Sequence, residues 1–140
     1  MTETFDVNAT LGADELVRLT ALQMAERLRA GTTTSVELVQ AHLDRIAEFD
    51  GDPRADAAAD RGVRAYLHVA DQAALAAADA VDRRRAAGES LHDLAGVPVA
   101  VKDVMTTTDQ PTTCGSRTLA GVPVRAQLLG SDPVSMAENA

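Results

Sequence analysis

The 140-residue chain has no tryptophan, one tyrosine, two phenylalanines and one cysteine. With only three aromatics it is short of the side chains that bury the most area each. Core building is left to aliphatic residues, and these are few. Of 64 hydrophobic residues, 27 are alanine, and Leu, Ile, Val and Phe together number 31. Alanine buries little surface, so a core built from this inventory is thin. The lone Cys114 excludes an internal disulfide and any multi-thiolate metal site. No apolar run approaches the roughly 20 residues that cross a bilayer. Nine glycines and five prolines are too few for a collagen-like or Pro/Gly-rich disordered chain. Positive charge is also scarce. The net charge is −8, with −5 over residues 1–87 and −3 over residues 88–140. Direct binding to a phosphate backbone through bulk electrostatics is therefore not expected. The opening residues carry early acids and no apolar h-region, so no signal peptide is read and a cytoplasmic location is the expected default.

The residues that are present read as helices first. Residues 1–15 are polar and are expected as a flexible lead-in. Thr20 followed three positions later by Gln23 has the spacing of a capping box, and Gly31 fits the left-handed position that ends a helix. Thr34 with Glu37 forms a second box. Behind it Val36, Val39, Leu43 and Ile46 make the clearest helical stripe in the chain. The short Gly-Thr-Thr link predicts a helical hairpin.

A charged loop over residues 50–62 separates the hairpin from the second half of the chain. Ala65–Val69 (AYLHV) then reads as a short strand, and residues 71–87 as an Ala-rich helix whose small face suits close packing on a sheet. Arg83, Arg84 and Arg85 fall in its last turn, where the helix dipole favours cations. They read as a solvated helix end. Val97–Val101 is a continuous apolar run of the kind that forms a strand covered on both faces. The order predicts an α/β fold with a right-handed crossover. After Thr106 the pattern weakens into a polar loop and then a tail without periodicity.

Twelve arginines accompany a single lysine, Lys102, directly after the apolar run. Arginine stays charged at any useful pH, whereas a lysine that loses its proton on burial can activate a serine hydroxyl. Ligands in α/β sheets gather at the carboxyl ends of strands, where Lys102 is expected. Composition and position alone still favour a lysine that ends a strand and reaches into solvent. Asp103 is read as pointing away from Lys102 and as no obvious partner for it. His42, His68 and His92 share no ligand spacing and read as ordinary histidines. Cys114 reads as a small buried thiol. Thr112, Thr113 and Ser116 around Gly115 read as a loop with side-chain-to-backbone hydrogen bonds. No phosphate-loop, dinucleotide or zinc signature occurs, so no cofactor or metal site is assigned to this chain.

The stretch LAGVPVAVKDVMTTTDQPTTCGS, residues 94–116, resembles the first block of the amidase signature family. TSVELVQAHLDRI (34–46) and AYLHVADQAALAAADAVDRRRAAG (65–88) resemble that family's N-terminal helices, strand and helix, in the same order. Within the family the likeness is to the A subunits of tRNA-dependent amidotransferases, which serve glutamyl-tRNA(Gln) and aspartyl-tRNA(Asn). It covers residues 16–121.

The resemblance implies a Ser–Ser–Lys triad, with Lys102 at the position of the base, and this reverses the solvent reading of that residue. It also implies a substrate, L-glutamine, and partner B and C subunits. Misacylated tRNA would be held by the B subunit, which would use ATP and Mg. Beyond residue 121 the family's glycine-serine-rich core would follow. Residues 122–140 diverge instead, and Ser116, Ser131 and Ser135 do not sit in the family's serine motifs. The chain is therefore expected to be a truncated or frameshifted N-terminal portion, inactive alone. A stand-alone amidase acting on small amides and a non-catalytic helical interaction module are the alternative readings.

Overall fold

A computed structural model describes residues 5–51, 62–107 and 110–119. Four helices follow in order: α1 (Ala13–Leu16), α2 (Ala21–Ala30), α3 (Ser35–Phe49) and α4 (Asp71–Ala86).

The caps that bound α2 and open α3 are those the sequence spells out. Thr20 Oγ1 accepts from Gln23 N at 3.3 Å, and Thr20 N donates to Gln23 Oε1 at 2.9 Å. Gly31 closes α2 at φ 70°, a conformation that costs glycine little. At α3, Glu37 N donates to Thr34 Oγ1 at 3.1 Å and Thr34 N donates to Glu37 Oε2 at 2.8 Å. The Thr34 backbone bond, helped by the hydroxyls of Thr33 and Thr34, holds the Glu37 carboxyl below its ordinary value. The remaining orphan donors of α3 find a partner from outside the helix. Asp82 of α4 accepts from Ser35 N at 2.8 Å and Val36 N at 3.0 Å, so one carboxylate both caps α3 and ties it to α4.

Leu16 of α1, Met24 and Leu28 of α2, and Leu38 and Ala41 of α3 form the core, with Leu11, Val17, Leu19 and Val97 packed around it. Leu28 and Leu38 retain 1% and 0% exposure, and burial of such a side chain contributes about 1.5–3 kcal/mol. The core face of α3 is rotated from the expected stripe. Leu38, Val39 and Ala41 are buried, whereas Val36, Leu43 and Ile46 are only half-buried. Helix α3 must serve two neighbours, the α1–α2 cluster and α4, and a single stripe covers only one.

The two helices of the anticipated hairpin share this cluster, but the closest helix pairing is α3 with α4. Ala78 and Val81 bury the small face of α4, which packs on a helix and not on a sheet.

Residues expected as a loose lead-in are tied down from residue 6 onward. The Arg27 guanidinium is buried and donates to the carbonyls of Asp6 (3.3 Å), Ala9 (2.7 Å) and Thr32 (3.4 Å). The hydroxyl of Thr32 adds a bond to Val7 O at 2.7 Å. Farther along, buried Asp50 gathers the returning chain, accepting from Ala65 N at 2.5 Å and Tyr66 N at 3.1 Å.

Neither expected strand, 65–69 or 97–101, forms among the described residues, which contain helices and no strand. The reason is physical. A helix closes its hydrogen bonds within itself, but a strand exists only when another strand pairs with it. Both segments are irregular, with Leu67 at 57% and Val99 at 68% exposure. The second is anchored at its start, where Ser35 Oγ donates to Gly96 O at 2.8 Å and Arg85 donates to Ala95 O at 2.9 Å. Gly96 lies at φ 90°, and a Cβ there would meet Ser35 Oγ at 2.9 Å and Leu28 Cδ1 at 3.3 Å. Residues 122–140, the divergent tail, lie outside the described residues. No described helix is long and apolar enough to cross a membrane.

Candidate functional site

Lys102 follows the irregular apolar run 97–101 and opens a turn in which Met105 N donates to Lys102 O at 2.9 Å. Its side chain is exposed. The run before it is not the doubly covered strand expected from its apolar pattern. Such a strand requires layers on both faces of the segment, and the described residues leave Val99 and Ala100 exposed.

The adjacent Asp103 is the most connected polar residue of this region. Its Oδ1 accepts from Thr113 N at 2.7 Å, and its Oδ2 accepts from Thr113 Oγ1 at 2.5 Å and Gly115 N at 2.9 Å. Its backbone carbonyl accepts from Cys114 N at 3.0 Å. These bonds close the chain from 103 to 115 into a loop with Lys102 at its neck. Thr112, buried, steadies the interior through Oγ1 to Met105 O at 3.3 Å.

The receiving turn has a defined backbone. Ser116 N donates to Thr113 O at 2.9 Å, and both central residues have positive φ, 51° at Cys114 and 69° at Gly115. Positive φ at both positions is the signature of a type I′ turn. That conformation points the amides of 113 and 115 at a single acceptor. Cys114 is exposed, which corrects the expectation of a buried thiol: the middle of a tight turn has no interior to face.

The hydrogen bonds from Thr113, above all that from its hydroxyl, hold the Asp103 carboxyl below its ordinary value. Because the folded-state value is depressed, the latch is fully favoured above the usual aspartate range near about 4 and weakens as pH falls through the lowered value.

Of the loop's threonines, Thr112 donates its hydroxyl to a backbone carbonyl as expected, whereas Thr113 donates its own to the Asp103 side chain. Sequence reasoning misses Asp103. The sequence offers the hydroxyl- and glycine-rich turn two upstream carboxylates, Asp103 and Asp109, and no local pattern selects between them. His42 Nδ1 lies 2.7 Å from Leu38 O, His92 Nδ1 accepts from Leu94 N at 3.3 Å, and no metal-holding group of His, Cys, Asp and Glu exists among the described residues. Ser35, buried, gives its hydroxyl to Gly96 O and is not presented for chemistry. An open cleft of about 330 Å³, lined in part by Val17, His42, Phe49 and Tyr66, contains neither Lys102 nor Asp103.

Against known proteins, the sequence profile of the amidase family matches residues 37–127, a span that takes in Lys102, Asp103 and the 113–116 turn. The chain is 51% identical over 107 residues to the A subunit of glutamyl-tRNA(Gln) amidotransferase from Thermobifida fusca (strain YX). It is 51% identical over 108 residues to that of Nocardia farcinica (strain IFM 10152), and 53% identical over 107 residues to that of Salinispora arenicola (strain CNS-205). Each match covers 76% of this chain and 20% of the relative, so the chain spans about a fifth of the length of these proteins. No solved structure matches. With the family profile covering more than half of its residues, the chain belongs to the amidase family.

Proposed function

We propose that residues 16–121 are the lysine-bearing segment of a glutamine-hydrolysing A subunit of a tRNA-dependent amidotransferase, with Lys102 as the base of a Ser–Ser–Lys triad. The observation that carries this reading is identity of about half over 107 residues to proteins named as the A subunit of glutamyl-tRNA(Gln) amidotransferase. In this chemistry a serine attacks the side-chain amide carbon of glutamine, a second serine relays its proton, and a neutral lysine amine receives it. Ammonia then leaves as the acyl-enzyme forms, and water releases glutamate. A partner B subunit, using ATP and Mg, consumes the ammonia on misacylated tRNA, and a C subunit completes the assembly in the cytoplasm. This chain's part is to hold the base.

Segments 65–69 and 97–101 are assigned as strands of a mixed α/β sheet in the complete domain. Their apolar composition and the exposure of Leu67 and Val99 support that assignment. These 140 residues by themselves, with an exposed Lys102 and no serine in the family's motifs, are proposed to show no turnover.

The test is a chimera in which residues 16–121 replace the corresponding stretch of the Thermobifida fusca protein, produced together with its B and C partners. The chimera is expected to hydrolyse glutamine, and Lys102→Ala and Lys102→Arg are each expected to lower kcat by about 10²–10⁴-fold. Full activity in Lys102→Ala overturns the assignment of the base. A chimera that cleaves small amides but fails to assemble with B and C favours a stand-alone amidase.

A further inference from the structure

We propose that Asp103 is the positioning residue for Lys102, its carboxylate latching the 113–115 turn to the backbone unit from which the lysine projects. This rests on reading Lys102 as the base.

The Lys102 side chain is exposed and makes no hydrogen bond among the described residues. A lysine stem has four flexible carbons, so its reach is set by where its backbone is held. Two restraints fix that backbone. One is the turn bond from Met105 N to Lys102 O. The other is the latch, in which both carboxylate oxygens and the carbonyl of Asp103 accept from 113–115. Hydrogen bonds to a carboxylate are roughly twice as strong as neutral ones, so this neck is the stiffest link between the two arms of the loop.

A purely structural role would require the latch to support the core, and it does not. Its four hydrogen bonds join residue 103 only to residues 113–115, and none of these residues belongs to the cluster of Leu16, Met24, Leu28, Leu38 and Ala41. Loss of the latch is therefore expected to leave the helical core intact while releasing the lysine.

In the chimeric complex, Asp103→Ala and Thr113→Val are expected to lower kcat for glutamine hydrolysis about tenfold or more, with KM within about twofold. Thr113→Ser keeps the donated hydroxyl and is expected to stay within about twofold of the parent. The urea midpoint of the 140-residue chain, followed by helical signal, is expected to be unmoved by these changes. If Lys102→Arg keeps full kcat, the base assignment fails. If Lys102→Arg is inactive while Asp103→Ala and Thr113→Val keep full kcat, the base assignment stands and the positioning role is overturned.

A second measurement needs no activity. The only lysine and only cysteine of the chain flank the latch. A short amine-to-thiol cross-linker is therefore expected to join Lys102 to Cys114 in the intact chain, and Asp103→Ala to slow that product several-fold. Equal rates, with the Lys102–Cys114 peptide identified by mass, overturn the latch.

Discussion

Val97 and Val99 belong to the same apolar run, two positions apart, yet Val97 packs against the helical core while Val99 is 68% exposed. The contrast extends to their surroundings. On one side stand Leu28 and Leu38, at 1% and 0% exposure; on the other, Val104 and Met105, at 57% and 61%. Apolar content does not separate the two regions; the source of each residue's partners does. Helices α2 and α3 close most of their backbone hydrogen bonds within themselves, and they bury their faces against one another, α1 and α4. The run 97–101 needs flanking strands and covering layers, which the described residues do not supply. Where a helix stands next to it, at Ser35 and Arg85, it is pinned; two residues later it is not.

The largest expected effect falls in the packed region. Leu38→Ala removes the most buried side chain of α3 and is expected to cost about 2–5 kcal/mol, read from urea unfolding of the helical signal. A loss below about 0.5 kcal/mol would mean the cluster is not the core. Next comes the junction between the regions. Gly96→Ala combines a positive φ with a Cβ placed 2.9 Å from Ser35 Oγ and is expected to cost about 2–4 kcal/mol. If it proves neutral, the anchoring of the run to α3 is wrong. The smallest effect belongs to the exposed side. Val99→Thr is expected to change stability by less than about 0.5 kcal/mol in the 140-residue chain. A loss above about 1 kcal/mol would show that the run is covered in solution and would dissolve the contrast.

The candidate site is legible in proportion to how local its signals are. Lys102 stands out because it is the single lysine and follows a distinctive apolar run. Asp103 does not stand out, because its partners lie at 113–115, and nothing in the spacing of a carboxylate and a polar turn says that the chain folds back between them. Asp82 is a similar case. It looks like a surface acid on an Ala-rich helix, yet it caps α3 from 46 and 47 positions away.

The sequence by itself determined both ends of α2 and the start of α3, because Thr20, Gln23, Gly31, Thr34 and Glu37 act on backbone groups within a turn of themselves. It also determined family membership, through runs of residues that a profile can match. Only the tertiary structure decided which face of α3 is buried, that α4 lies on α3, and that Asp103 closes a loop beneath Lys102. Each of these depends on groups distant along the chain meeting in space. Burial and hydrogen bonding between them are settled by packing, which no local pattern encodes.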